Sequence, residues 1–429
     1  MDLNEIANSE NFTLADFFAV EGAQLSDRVR DFNDYMAFHK DKGRLQYGRE
    51  ITSAPGRQVL VKDPRGGPDR EMLMFGSNDY LSLANHPAVV AGVVETVQRL
   101  GVGMGGPPLL NGRNSIHREL EAALSELKQK EDTMLYSSGF LANMGWLTAL
   151  IRGGDLLIYD ELNHASLYDG LKLLRANVRF KAIRFRHNDV AHLEEILRTH
   201  QGSIGPKNQI FVAVEGVYSM DGDLAPLDQI VRLKQFYDFN LFVDDAHGTG
   251  VMGPTGAGTA EHFGVEKDVD LTMGTFSKAF GVTGGFVSGN ARVVNYMRYF
   301  SRSYMFSAHI PQSTAAAVLA GIKVIRTDLP RLKSLKRNVA LVSSGLRDLG
   351  FEVRSISAII PVPIPERIDI RSFSARLDQE GIFANSIEYP AVPKIHQRIR
   401  LSIMATHTEE DIARLLQVFK LLSEEFDLF

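Results

Sequence analysis

Between residues 76 and 305, short apolar runs alternate with stretches of helical periodicity. The runs fall at 133–136, 156–159, 210–214, 241–243, 271–273 and 285–288, and helical patterns such as 165–175 and 227–237 fill much of the space between the earlier ones. A strand that is apolar along its whole length is covered on both faces. Strands of that kind separated by helices build a mainly parallel sheet with helices packed on either side. At 429 residues the chain exceeds one small core. The expected division is an N-terminal arm over 1–75, a large α/β domain over 76–310 and a smaller α+β domain over 311–429.

Within the arm, 25–38 carries an amphipathic helical pattern and 17–20 a short apolar patch. Strand-like runs at 58–61 and 72–75 flank a Pro/Gly-rich turn at 63–68. Downstream, the Ala-, Val- and Ile-rich segment 315–326 starts a helix, and strands are expected at 351–354, 359–364, 382–387 and 399–403. A closing helix over 409–424 follows Thr408, a side chain suited to capping a helix start.

Composition excludes several classes. The net charge of −5, with no long Lys/Arg block, gives no electrostatic footprint for nucleic acid. The absence of cysteine removes disulfides, thiolate catalysis and cysteine metal sites, and no metal centre is expected. The acidic start Met1-Asp2-Leu3-Asn4-Glu5 lacks a signal pattern, and no apolar stretch reaches membrane-span length, so a cytoplasmic protein is expected.

Two of the apolar runs stop abruptly at ionisable residues. Asn240-Leu241-Phe242-Val243 leads into Asp244-Asp245-Ala246-His247-Gly248, and 269–273 leads into Gly274-Thr275-Phe276-Ser277-Lys278-Ala279-Phe280-Gly281. In open α/β sheets ligands sit at the carboxyl ends of strands. An acid, a histidine and a lysine brought to that edge match the needs of pyridoxal 5′-phosphate (PLP). Lys278 supplies the Schiff-base amine, which desolvation favours in its neutral form. Asp244 pairs with the pyridine nitrogen, and His247 reaches the phenolic oxygen from the same loop. For the phosphate, Ser137-Ser138-Gly139-Phe140 opens a helix directly after a strand, and Thr275 offers a further hydroxyl. Asn163-His164-Ala165-Ser166 either places an imidazole over the cofactor ring or is a capping loop with a solvent-facing histidine. Arg398 and Arg400 lie on one side of a short strand, where one guanidinium clamps a carboxylate or both belong to an ordinary basic edge.

With these motifs the chain resembles the α-oxoamine synthases, PLP enzymes that condense an amino acid with an acyl thioester and release CO₂. The marks are Ser77-Asn78-Asp79-Tyr80-Leu81, Asn111-Gly112 followed by His117 and Leu120-Glu121, Ser138-Gly139-Phe140, Asn163-His164-Ala165-Ser166, the 215–223 segment, both loops above and Ala405-Thr406-His407-Thr408. Within the family it is most similar to soluble bacterial serine palmitoyltransferases, through 73–78, 273–278, 284–287 and 402–408. The resemblance implies fold type I, the aspartate-aminotransferase-like fold. It implies that His164 stacks on the ring and helps hold the substrate carboxylate, that Arg400 anchors that carboxylate, and that Asn78 and Ser219 are polar site groups. It also implies a homodimer with shared active sites, each completed by the partner's Ser307 region. The expected reaction joins a small amino acid, L-serine first, to a long-chain acyl thioester on coenzyme A or acyl-carrier protein, giving an α-amino ketone such as 3-ketosphinganine. Glycine C-acetyltransferase, 8-amino-7-oxononanoate synthase and, more distantly, aminotransferase activities are the alternatives. The chain departs from the family pattern at Arg113 and His309.

Overall fold

The computed structural model describes residues 12–18, 22–63 and 66–429. The N-terminal residues, Ala19 and Val20 of the apolar patch, and the centre of the 63–68 turn lie outside these. The strands, in chain order, are β1 (Gln58–Val61), β2 (Arg70–Met74), β3 (Asp132–Tyr136), β4 (Leu156–Asp160), β5 (Lys181–Phe185), β6 (Ile210–Glu215), β7 (Asn240–Asp244), β8 (Leu271–Thr275), β9 (Gly285–Gly289), β10 (Ile359–Pro363), β11 (Ile382–Phe383), β12 (Asn385–Ile387) and β13 (Arg398–Ser402). They fall into two compact units, residues 78–336 and residues 1–77 with 337–429.

The first unit holds a sheet in the order β3-β9-β8-β7-β6-β4-β5. Every neighbouring pair from β8 to β5 is parallel, while β9 runs antiparallel to both β8 and β3. Successive side chains along a strand point to opposite faces, and the two cores divide accordingly. Leu157, Tyr159, Phe211, Ala213 and Phe242 join one core with Trp146 and Leu147. Leu156, Ile158, Ile210, Val212, Val214, Leu241 and Val243 join the other. Trp146 stacks on Phe242 with ring centres 4.0 Å apart. Burial on both faces is why these strands read as continuous apolar runs. The edge strand β5, Lys-Ala-Ile-Arg-Phe, has only its last residue buried, and its mixed polarity conceals it in the sequence.

In the second unit, β1, β2 and β11 form one small sheet and β10, β13 and β12 another. The run expected as one strand over 382–387 is two. Ile382 and Phe383 pair parallel with β2, and Asn385–Ile387 pairs antiparallel with β13. The strand expected at 351–354 does not form. Phe351 and Val353 are buried, but the backbone there has no ladder partner, so apolar alternation alone misleads. The closing helix Glu409–Glu425 starts as expected. Thr408 Oγ1 accepts from the Asp411 amide at 3.2 Å, and Asp411 accepts from the Thr408 amide at 2.9 Å. Arg57 then grips the Asp411 carboxylate with both contacts below 3 Å.

Candidate active site

Lys278, Asp244, His247 and His164 are assembled by the carboxyl ends of β8, β7 and β4. Asp244 ends β7 and is buried; Asn143, from the helix Gly139–Leu150, donates to Oδ2 at 2.7 Å, and the Ala246 amide donates to Oδ1 at 3.1 Å. Burial pushes its carboxyl upward. The Asn143 hydrogen bond and the positive fields of His164 and Lys278 offset that shift only in part. Asn143 also donates to Ser166 Oγ at 2.8 Å, which lies 2.7 Å from His164 Nδ1. A short polar chain therefore joins Asp244 to His164.

His164 caps a helix, as one of the two readings of its motif expects. Its Nδ1 accepts the Ser166 amide at 3.2 Å and so caps the helix Ala165–Arg175, while its ring remains exposed and meets Phe140 edge to face. Crowding by protein atoms lowers its basicity first; Asp244 raises it and Lys278 lowers it again, and the balance favours a neutral ring. A neutral imidazole with an open face suits stacking on a planar cofactor. His247 is buried, with Nδ1 2.8 Å from the Tyr80 hydroxyl, which also donates to Asn78 Oδ1 at 3.0 Å. Asn78 therefore lies in the same polar cluster as His247. Lys278 is half-buried, and its carbonyl accepts the Gly281 amide at 2.9 Å in a tight turn. Gly281 holds φ at +66° with Ala84 so near that a Cβ would lie 2.6 Å from its side chain, so only glycine closes this turn.

The residues expected around the phosphate also gather. Ser138 caps the helix Gly139–Leu150 by accepting the Leu141 amide at 3.2 Å. A Cβ on Gly139 would come within 3.0 Å of Thr275, and one on Gly285 within 2.7 Å of the Gly139 nitrogen. This bare backbone leaves amides at a helix start, beside the hydroxyls of Thr275 and Ser277, which are 2.9 Å apart. Ser137 donates to Ala308 O at 2.6 Å, and its hydroxyl is 3.1 Å from that of Ser307. Small hydroxyls, exposed amides and a positive helix end are the donor set an anionic phosphate requires.

Arg400 lies in the other unit, on β13. It is buried, and its Nη1 donates to Ser402 Oγ at 3.0 Å. Arg398, by contrast, donates to the His396 carbonyl, so the two arginines are not equivalent. At the departures from the family pattern, Arg113 is ion-paired with Glu121, and His309 stacks on His117 with ring centres 4.2 Å apart. Burial and its neighbours His117 and Arg113 push the His309 ring down to about 3.

Three groups receive no role from the sequence, although Tyr80 and Glu215 lie within its family-like motifs. Glu215, at the end of β6, is register-paired with Asp244 on β7. It is buried, its Oε1 has no hydrogen-bond partner among the described residues, and the amides of Ser219 and His164 face its carboxyl. Burial and the neighbouring Asp244 push its acidity far toward the neutral acid. Asn143 and Tyr80 reach Asp244 and His247 from positions more than a hundred residues away, a relation no local spacing announces. Beneath the site, Lys128 binds Asp245 at 2.7 Å, Thr249 at 2.7 Å and the Ala257 carbonyl at 2.6 Å.

Comparison with known proteins agrees with this geometry. The family model for aminotransferase class I and II matches residues 70–419. The chain is 39% identical over 390 residues to a serine palmitoyltransferase of Bacteriovorax stolpii, covering 91% of this chain and 90% of the relative. It is 36% identical over 378 residues to an 8-amino-7-oxononanoate synthase of Thermoanaerobacter pseudethanolicus, covering 87% and 94%. A serine palmitoyltransferase solved with PLP as the internal aldimine superposes with a TM-score of 0.86 at 29% identity, covering 95% of this chain and all of that one. With a mainly parallel sheet of the PLP fold type I, a lysine, acid and histidines at its carboxyl edge, and these relatives, the chain belongs to the class I and II aminotransferase family and, within it, to the PLP-dependent α-oxoamine synthases.

Proposed function

We propose that this enzyme condenses L-serine with a long-chain acyl thioester, carried on coenzyme A or an acyl-carrier protein, releasing CO₂ and an α-amino ketone of the 3-ketosphinganine type. The observation that carries the reading is the joined set Asp244–Asn143–Ser166–His164 beside Lys278, in a chain 39% identical to a serine palmitoyltransferase. Bound through Lys278, PLP supplies an electron sink for the pair of electrons left at the amino-acid α-carbon. Asp244 would hold the pyridinium nitrogen of the cofactor. Neutral His164 would cover the ring, and His164, Arg400 and Asn78 are the proposed anchors of the substrate carboxylate. Ser138, Gly139, Phe140, Thr275 and Ser219 would hold the cofactor, with His247 toward its phenolic oxygen. The Lys278 amine takes the α-proton and returns it to the product. In the homodimer, Ser307 of the partner subunit completes the phosphate site, and the enzyme works in the cytoplasm. Among the described residues no helix is long and apolar enough to cross a membrane.

A second reading, an 8-amino-7-oxononanoate-type or glycine-acetyl-type synthase, is favoured by the 36% identity over 94% of the Thermoanaerobacter relative. A panel of serine, alanine and glycine against acyl thioesters of graded length, followed by thiol release and product mass, separates the two. Serine with a long acyl chain is the expected pair. Preference for alanine or glycine supports the second reading, and amino transfer to a 2-oxo acid without thiol release overturns both.

A further inference from the structure

His187 lies outside the motifs that carry the chemistry, in the loop that follows the edge strand β5. Its Nδ1 is 3.0 Å from Asp160 Oδ1 and its Nε2 is 2.8 Å from Asp223 Oδ2. A neutral imidazole has one donor and one acceptor nitrogen, so a ring whose two nitrogens both meet carboxylates carries two protons and a positive charge. Its backbone amide donates to Glu161 at 3.0 Å. Asn188, held at φ +52°, donates through its backbone amide to Asp160 at 2.9 Å and through its side chain to Asp223 at 2.8 Å and to the Leu224 carbonyl at 3.1 Å. Tyr218 closes the cluster, its ring edge-on to His187 at 4.4 Å. Asp160, Asp223, Glu161 and Tyr218 are therefore the titratable groups facing the imidazole. The Asp160 carboxylate is fully buried, whereas Asp223 sits at the rim with 42% of its side chain exposed.

The two acids belong to different site loops. Asp160 ends β4 and accepts the Leu162 amide at 2.8 Å, two residues before His164. Asp223 closes the segment that begins at Glu215 and contains Ser219, and the Tyr218 amide donates back to the Asp223 carbonyl at 2.9 Å. We propose that His187 is a positioning residue for the amino-acid substrate: an imidazolium brace that ties the loop after β4 to the loop after β6 and so fixes His164 and Ser219 relative to each other. The inference rests on the roles proposed above for those two residues. Charge is the essential property, because both carboxylates would repel each other across an uncharged side chain.

The test is His187→Gln in the PLP-loaded enzyme, with amino-acid binding read from the change in cofactor absorbance and no acyl donor present. The expected result is a rise in the amino-acid Kd and KM of about tenfold, the scale of one charge-assisted hydrogen bond. Substrate-free cofactor absorbance should stay as in the parent. His187→Lys, which keeps a positive charge, should recover part of the loss. Should His187→Gln fail to fold, Asp223→Asn at the rim weakens the same brace and should raise Kd in the same direction. An unchanged Kd in either soluble variant, or equal loss in the Gln and Lys variants, would overturn the proposal. Failure of the underlying functional reading is distinguishable, since it removes acyl-dependent thiol release from the parent enzyme.

Discussion

Asp244 and Glu215 stand side by side on adjacent strands, and burial pushes both carboxyls upward, but their partners differ. Asp244 has a donor in Asn143 at 2.7 Å and the field of Lys278, which offset its burial in part. Glu215 has one oxygen without a partner, and burial with Asp244 beside it favours the protonated acid. Replacing a neutral acid by an amide of the same shape changes little. Glu215→Gln should therefore retain cofactor absorbance and lose no more than roughly 1 kcal/mol of transition-state stabilisation. Glu215→Ala, which strips the partner from the Ser219 and His164 amides, should lose about 1–3 kcal/mol. A kcat/KM that falls as far in the Gln variant as in the Ala variant would show that Glu215 works as a carboxylate. Lys278, Asp244, His247 and His164 were legible in the sequence because each follows an apolar run and precedes glycines or a helix start. Glu215 heads a segment that the sequence marks without giving this side chain a role, and Asn143 sits inside a helix with no local sign of its contact to Asp244.

At the scale of elements, the helix Ser115–Lys128 ends in a side chain that reaches under the active site. Lys128 and Asp245 are both almost wholly buried, and Asp245 also accepts from the Thr259 amide and hydroxyl. This pairing pins the stretch between Asp244 and His247 from below and links it to the 257–259 loop. Removing one partner of a buried pair leaves the other charge without compensation. Lys128→Met should lower unfolding stability by about 3–5 kcal/mol in denaturant titration, while Lys128→Met with Asp245→Asn should recover part of it. A loss below 1 kcal/mol in the single variant would mean that Asp245 finds another cation or releases its charge. The central strands were readable as apolar runs because helices cover both faces. Strand β5 was not, since four of its five residues are at least partly open to solvent. The apolar residues at 351–354 misled for the converse reason: burial without a neighbouring strand does not make a ladder.

For the whole molecule, pH acts on stability in two opposed ways. In His187, burial alone would lower the basicity, but hydrogen bonds to Asp160 and Asp223 overcome it and hold the ring up to about 10. That contribution is complete below the unfolded value near 6.5 and is lost as pH rises toward 10. His407 is buried with Nδ1 accepting the Met404 amide and Nε2 3.1 Å from the Met74 carbonyl, and desolvation pushes it down to about 4. His309 is pushed down to about 3. Both must gain a proton to match the unfolded chain in acid, so their burial destabilises the fold as pH falls below about 6.5. The urea midpoint should therefore peak near neutral pH and decline on both sides. A midpoint still climbing between pH 7 and pH 10 would contradict the assignment of His187 as an imidazolium.

Strand β9 has a further consequence, for how the chain is made. It lies between β3 and β8, with Asp132 of β3 and Leu271 of β8 both opposite Gly289. The helix start at Ser138 and the hydroxyl of Thr275 are flanking products of the two strands it separates. Closing such a distant pairing carries a loop-entropy penalty and is slow compared with local contacts. A chain folded only as far as β8 holds Lys278 but lacks the strand that bridges β3 and β8. The cradle proposed for the phosphate is therefore complete only once β9 has paired with both strands, so PLP binding should report on closure of this long-range pairing.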